Sequence, residues 1–232
     1  MAALAGVRNS FENPLKCLRT NIEGTANIAE NIRKSNIKKL IFASSSSVYG
    51  NCKSGKFSED LQSLSPISPY AVSKLTCEQL LHTYSLNFNI QTLCLRFFTV
   101  YGPRQRPDLA IRKFSEFIIK GKPIPVYGDG TTVRDYTYID DIIDGICSAI
   151  KYDKSPYEII NLGSVSPVSL NKMIEILEKT LCKKAIINYL PMQKGDVLKT
   201  VSDINKAKEL LNFSPQTSFE SGIKKFIEWL NS

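Results

Sequence analysis

Three short apolar runs, "KLIFAS" (39–44), "IQTLCLRFF" (90–98) and "YEIINLG" (157–163), alternate with long helical stretches, and nothing else in the chain restricts the fold as much. A strand with one wet face alternates apolar and polar residues. These runs do not, so both of their faces are covered, as in a parallel sheet with helices on either side. From Pro14 to Lys34, Leu15, Leu18, Ile22, Ala26, Ala29 and Ile32 recur at three- and four-residue steps, and Pro14 suits a first helical turn. "SPYAVSKLTCEQLLHTYSLNF" (68–88) is a second long helix, and "LAIRKFSEFIIKG" is a third that stops at Gly121. "PIPVYGDGTTVRDYTYIDDIIDGICSAI" reads strand, turn, strand, helix, and "SLNKMIEILEKTL", "DINKAKELL" and "SFESGIKKFIEWL" are helices. The expectation is an α/β fold with three parallel strands at its core. Residues 1–108 form the sheet part and 109–232 a smaller lobe, with strand 157–162 returning to the sheet.

Composition narrows the function. The 232 residues are 43% hydrophobic and 22% charged, with no apolar stretch long enough to span a bilayer. "MAALAGVRNSFENP" lacks a basic start followed by an apolar core, so it is not a secretory signal. Six cysteines without a C-x-x-C pair read as reduced, mostly buried thiols of a cytoplasmic protein. The single histidine, His82, excludes a metal site built from several histidines, and a lone helical histidine is more often a packing residue. The net charge of +8 is spread along helix faces without interleaved aromatics, which favours an anionic small molecule over nucleic acid as the partner.

"ASSSSVYG" (43–50) leaves the first strand at the edge where parallel sheets place their ligands. Structured segments flank it, so it is a poor linker. Further on, "YAVSK" sets Tyr70 and Lys74 four residues apart on one helix face. A lysine ammonium beside a phenol favours the phenolate. With a serine hydroxyl opposite, the three groups make a general base for an alcohol. Y-x-x-x-K alone is common by chance, and the weight rests on the conjunction of strand, serine run, Y-x-x-x-K and the strand ending "LRFF".

The segments "AALAGVR", "NIEGTANIAE", "IFASSSSVYG", "SPYAVSK", "LRFFTVYGPRQRPD", "VYGDGTTVRDYTYIDDI", "INLG" and "QKGDVLKTVSDINKAKELLNFSP" together resemble the extended short-chain dehydrogenases/reductases, in particular their nucleotide-sugar epimerases and dehydratases. The resemblance covers nearly the whole chain and keeps the family's order. It implies a Rossmann-like sheet, NAD as cofactor and a homodimer through helices 15–33 and 70–87. It implies Ser45, Tyr70 and Lys74 as catalytic residues, and Ala2, Ala3, Leu4, Asn21 and Ser44, with Tyr70 and Lys74, along the cofactor. It also implies Arg134 on the substrate diphosphate, and Arg8, the backbone around Val126 and Tyr127, and Asp196 along the substrate.

Dehydratases of the family resemble S-T-D-E-V-Y-G, whose carboxylates eliminate water. Ser46 and Ser47 occupy those positions here, which counts against elimination. With Thr99 and Arg106 they suit a sugar carboxylate, and the combination resembles the UDP-glucuronate 4-epimerases. The plainer alternative is that Ser46 and Ser47 only cap a turn. The family's G-x-x-G-x-x-G turn, which cradles the cofactor pyrophosphate, is not found in these residues. "MAALAGVR" matches the end of the family's fourth strand, so the expected sheet is partial, lacking its first strands. A non-catalytic relative that binds a nucleotide sugar or pairs with a longer copy is the alternative reading.

Overall fold

The computed structural model describes residues 3–51, 55–193, 195 and 197–232. Helix α1 (Val7–Glu12) is followed by one helical run made of α2 (Pro14–Leu18), a π-helical turn (Arg19–Glu23) and α3 (Gly24–Arg33). Strand β1 (Lys39–Ser45) passes into a short 3-10 turn (Ser46–Tyr49), and α4 (Pro69–Phe88) leads to β2 (Gln91–Phe97) and β3 (Thr99–Tyr101). Then come α5 (Ala110–Ile119), β4 (Ile124–Tyr127), β5 (Val133–Tyr138), α6 (Ile139–Lys151), β6 (Tyr157–Leu162), β7 (Pro167–Ser169) and α7 (Leu170–Leu181). Strand β8 (Ile187–Leu190), α8 (Asn205–Leu211) and α9 (Phe219–Leu230) complete the order.

The three expected strands form one parallel sheet, ordered β1-β2-β6. Both faces are apolar, as the unbroken runs require. Leu40, Phe42, Cys94 and Ile159 meet Ala29 and Leu81 on the side of α3 and α4. Ile41, Leu93, Leu95, Ile160 and Leu162 meet Ile142, Ala149, Ala207 and Leu211 of α6 and α8 on the other side. Leu93 and Leu95 are fully buried, which stabilises the fold by about 2 kcal/mol for each. The second core lies in the lobe, where Ile111, Phe114, Met173, Leu177, Ile223 and Phe226 of α5, α7 and α9 close on Tyr101, Tyr136 and Tyr138.

Local signals act as expected. Ser68 caps α4 by accepting from Ala71 N at 3.1 Å, and Pro69 follows in the first turn. Gly121, at a φ of 62°, stops α5, and Lys122 N bonds back to Phe117 O at 2.8 Å. The short elements α1, β3, β7 and β8 were not anticipated. Of the described cysteines, Cys17, Cys77 and Cys94 are buried and unpaired, as expected of most of them, while Cys147 and Cys182 are exposed; Cys52 lies outside the described residues. His82 packs its ring 4.6 Å from that of Tyr157, a packing role.

Candidate active site

The serine run is a built turn. Ser45 has extended backbone, and its hydroxyl accepts from Ser47 N at 3.2 Å and Ser47 Oγ at 2.9 Å. Capping is therefore done by Ser45, and Ser47 donates to it, while Ser46 opens the turn half-buried. Gly50 ends the turn at a φ of 58°, where an added Cβ would sit 1.7 Å from Ser65 O. Only glycine permits that approach. Ser44 points the other way, as alternation along a strand demands. It is buried, and its hydroxyl donates to Glu78, so its side chain serves the sheet's interior, not the cofactor edge assigned to it from the resemblance.

Tyr70 stands in the first turn of α4, half-buried, and the neighbouring Ser45 side chain acts on its phenol. Burial pushes its pKa above the ordinary value, while the Ser45 bond and the Arg106 charge pull it down. Lys74 lies one turn on, buried, with Nζ 5.8 Å from the Tyr70 ring centroid and donating to Ala43 O at 2.8 Å. Burial lowers the Lys74 pKa. The expected depression of the phenol by Lys74 is therefore not what this arrangement gives. Desolvation of Tyr70 outweighs its neighbours, and the groups that draw it down are Ser45 and Arg106.

Asn21 sits in the π-helical turn, 3% exposed. Its Oδ1 accepts from Leu4 N at 2.9 Å, and its Nδ2 donates to Leu4 O at 3.2 Å and to Ser73 Oγ at 2.9 Å. The amide is thus spent inside the protein. Asn21 supports the strip Ala3–Leu4 from behind, and both of its Nδ2 hydrogens are taken up inside the protein. Ala3 and Leu4 are exposed beside it, whereas Ala2 lies outside the described residues.

A cavity of about 310 Å³ opens between α1, α5 and the start of the lobe. Arg8, Thr99, Arg106, Tyr127 and Arg134, all expected along the substrate, line it. The Arg8 guanidinium lies 4.9 Å over the Tyr127 ring, and Arg134 donates from Nη1 to Val133 O at 3.0 Å. Arg106 is already engaged. It grips Asp108 with Nε at 3.0 Å and Nη2 at 2.8 Å, and gives Nη1 to Ala5 O at 3.1 Å. Its charge also lowers the pKa of Tyr70, so that phenol lies within electrostatic reach of the cavity edge.

Val126 does not face the cavity. Its side chain is fully buried in the lobe core, which leaves only its backbone for the substrate contact expected of it. Asp196 lies outside the described residues. Sequence reasoning passed over Gln105, Asp108, Lys113 and Thr132, which also line the cavity, and over the ion pair of Glu78 and Arg96 beneath the serine turn. The last had a signal. An arginine inside the doubly covered run "LCLRFF" must have a partner.

Residues 1–226 match the family described as GDP-mannose 4,6 dehydratase. The chain is 46% identical over 230 residues to a UDP-glucuronate 4-epimerase of Thermodesulfobacterium geofontis, covering 99% of this chain and 70% of that protein. It is 40% identical over 246 residues to UDP-glucuronate 4-epimerase 1 of Arabidopsis thaliana, covering 99% of this chain and 57% of that protein. Among solved structures, the UDP-glucuronic acid 4-epimerase of Bacillus cereus in complex with UDP-glucuronic acid and NAD superposes with a TM-score of 0.95 at 41% identity, over 100% of this chain and 74% of that one.

Proposed function

The chain belongs to the extended short-chain dehydrogenase/reductase family of NAD-dependent nucleotide-sugar epimerases and dehydratases, and from that premise we propose that it epimerises C4 of a UDP-sugar, with UDP-glucuronate as substrate. The observation that carries this reading is the gathering of Ser45, Tyr70 and Lys74 where β1 meets α4, with Arg106, which lines the neighbouring cavity, within electrostatic reach of the phenol. Tyr70 takes the proton of the sugar 4-hydroxyl, and Ser45, beside the phenol, steadies the same oxygen. Bound NAD supplies the hydride acceptor and a pyridinium charge. Lys74 has three donors and gives one to Ala43 O, so its remaining donors fit the hydroxyls of the nicotinamide ribose. Ala3 and Leu4 fit the same cofactor edge through their exposed surface. Tyr70 would give its proton back to O4 as the hydride returned to C4 on the other face of the turned 4-keto sugar, which leaves no net oxidation.

Epimerisation is favoured over dehydration by what occupies the turn. Ser46 and Ser47 carry no carboxyl group, and two carboxylates beside the site, Glu78 and Asp108, are each gripped by an arginine. Arg134 and Arg8 are assigned to the diphosphate and the uridine end, and Ser47, Thr99 and Arg106 to the C6 carboxylate. Catalysis then belongs to residues 1–108 and sugar-nucleotide binding mainly to 109–232. The exposed apolar side chains Leu15, Ile28, Val72 and Leu86 on α2, α3 and α4 support a homodimer through those helices. The buried free thiols Cys17, Cys77 and Cys94 favour the cytoplasm. Among the described residues no helix is long and apolar enough to cross a membrane.

The test is to supply UDP-glucuronate and NAD and follow UDP-galacturonate by anion-exchange chromatography. Product is expected from the wild type and not from Tyr70→Phe. Absence of product from the wild type, or undiminished product from Tyr70→Phe, overturns the reading.

A further inference from the structure

The polar groups beneath the serine turn form one row. Ser44, Arg96 and Asn161 are register partners across β1, β2 and β6, and their exposures are 3%, 2% and 0%. Glu78 of α4 covers the row. It accepts from Ser44 Oγ, from Arg96 Nε at 3.0 Å and from Arg96 Nη2 at 2.7 Å. Tyr49, the last residue of the turn, lies 4.8 Å over the Arg96 guanidinium and donates to Asn161 Oδ1 at 2.8 Å. Asn161 Nδ2 in turn donates to Phe57 O and Asp203 O. The row therefore holds the residue before Ser45 and the residue that closes its turn.

This is a costly way to fill a sheet face. A fully desolvated ion pair stabilises no better than apolar side chains of similar volume. Arg96 Nη1 is buried with no partner among the described residues, a further cost. What apolar side chains cannot supply is direction. The two oxygens of Glu78 and the plane of Arg96 fix Ser44 and Tyr49 in orientation as well as in place. Glu78 also lies one turn from Lys74, whose ammonium is tied to Ala43, the residue preceding Ser44. Two ties on the end of β1, Ser44 to Glu78 and Ala43 to Lys74, thus converge on α4.

We propose that Glu78 and Arg96 are positioning residues, whose ion pair sets the place of the Ser45 hydroxyl against Tyr70 by fixing Ser44 and Tyr49 on either side of it. The proposal rests on Ser45 and Tyr70 being the reacting pair.

The test replaces the pair by apolar side chains, Glu78→Met with Arg96→Met, which removes one charge of each sign. Ser44→Ala and Tyr49→Phe each delete one oxygen of the network and leave every charge in place. The groups facing Tyr70 are Ser45, Arg106 and Cys17, with Lys74 over its ring, and none of them is altered. The first readout is the titration of Tyr70 by 13C NMR on tyrosine-labelled protein, its signal assigned by its loss in Tyr70→Phe. The Ser45 bond draws the phenol pKa down, so loosening it moves the titration up, by roughly half a unit or more. The second readout is turnover of UDP-glucuronate with NAD. We expect kcat to fall by about 100-fold in the double variant with KM within about twofold, and Arg96→Lys to recover part of the loss. A cooperatively folding double variant with wild-type Tyr70 titration and wild-type kcat overturns the proposal. Should the double variant fail to fold, Ser44→Ala and Tyr49→Phe decide. An upward shift in both supports the role, and an unmoved Tyr70 in both overturns it. A wild type without turnover sinks the epimerase reading and leaves the Tyr70 titration to judge the positioning role.

Discussion

Asn21 Nδ2 donates to Ser73 Oγ at 2.9 Å, joining two helices through side chains 52 residues apart in sequence. Ser73 passes the contact on, donating to the carbonyl of Tyr70 at 2.7 Å. The same amide holds both backbone groups of Leu4. One buried side chain thus registers the strip beside the cofactor edge against the helix that carries Tyr70 and Lys74. Asn21→Ala should leave these partners unsatisfied and cost about 2 kcal/mol or more. Urea denaturation measures it. A loss below about 0.5 kcal/mol would mean that water replaces the amide without penalty.

Ser45 is one of two groups that lower the Tyr70 pKa. A general base works in its deprotonated form, so activity rises as pH climbs toward the phenol pKa. Ser45→Ala removes the hydrogen bond, the pKa goes further up, and the rising limb of kcat against pH moves to more alkaline values. Ser45→Thr keeps a hydroxyl and should hold the limb near its wild-type position. A rising limb that stays in place in Ser45→Ala would show that the serine does not tune the phenol.

The parts of the fold set by local pattern were legible. The parallel strands followed from apolar runs without alternation, and α4 from a serine cap, a proline and a clear period. Tyr70 and Lys74 were found because helical spacing alone places them one turn apart. Asn21 was read toward the cofactor, while its supporting bonds to Leu4 and Ser73 were not legible, since only the folded chain brings those partners near. Val126 was assigned through its backbone, and alternation along β4 turns its side chain into the lobe core. The short strands β3, β7 and β8 have too few residues to show a period, and tertiary pairing decides them. Lys74 was expected to govern the Tyr70 phenol, but its ammonium is held by Ala43 and the phenol answers to desolvation first.

The contact between α3 and α4 is acid-sensitive. Glu30 accepts from Arg33 Nε and Nη2 and from the Tyr84 phenol, and the Arg33 bond, then the Tyr84 bond, hold its pKa down from 4.5 to about 2. A folded-state value below the unfolded one means stabilisation that is fully present above the unfolded pKa and lost as pH falls toward the folded one. The loss should therefore run from about 4.5 to about 2. Glu30→Gln should flatten this part of the stability profile, measured as the urea midpoint at a series of acidic pH values. A profile equally steep in the variant would assign the acid sensitivity to other carboxylates.

On the proposed reading, Arg106 is expected to decide between sugars by its charge, with Asp108 restraining it. The guanidinium is 41% exposed and grips Asp108 with two nitrogens, which leaves Nη1, now on Ala5 O, facing the cavity edge. A sugar carboxylate entering the cavity competes with Asp108 for the same donors. A charge-assisted contact of this kind is worth about 1.5 kcal/mol once solvent screening of a half-exposed group is allowed for, or about tenfold in affinity. Arg106→Ala should therefore weaken UDP-glucuronate by about tenfold and leave UDP-glucose within about twofold. Asp108→Asn should act in the opposite direction on UDP-glucuronate, because it frees the guanidinium from a competing anion. Isothermal calorimetry with both sugars, on both variants, separates the two effects. Equal losses for UDP-glucose and UDP-glucuronate in Arg106→Ala would make the arginine a general support of the cavity wall, and a weaker UDP-glucuronate complex in Asp108→Asn would make the Asp108 grip a requirement for binding and not a restraint on it.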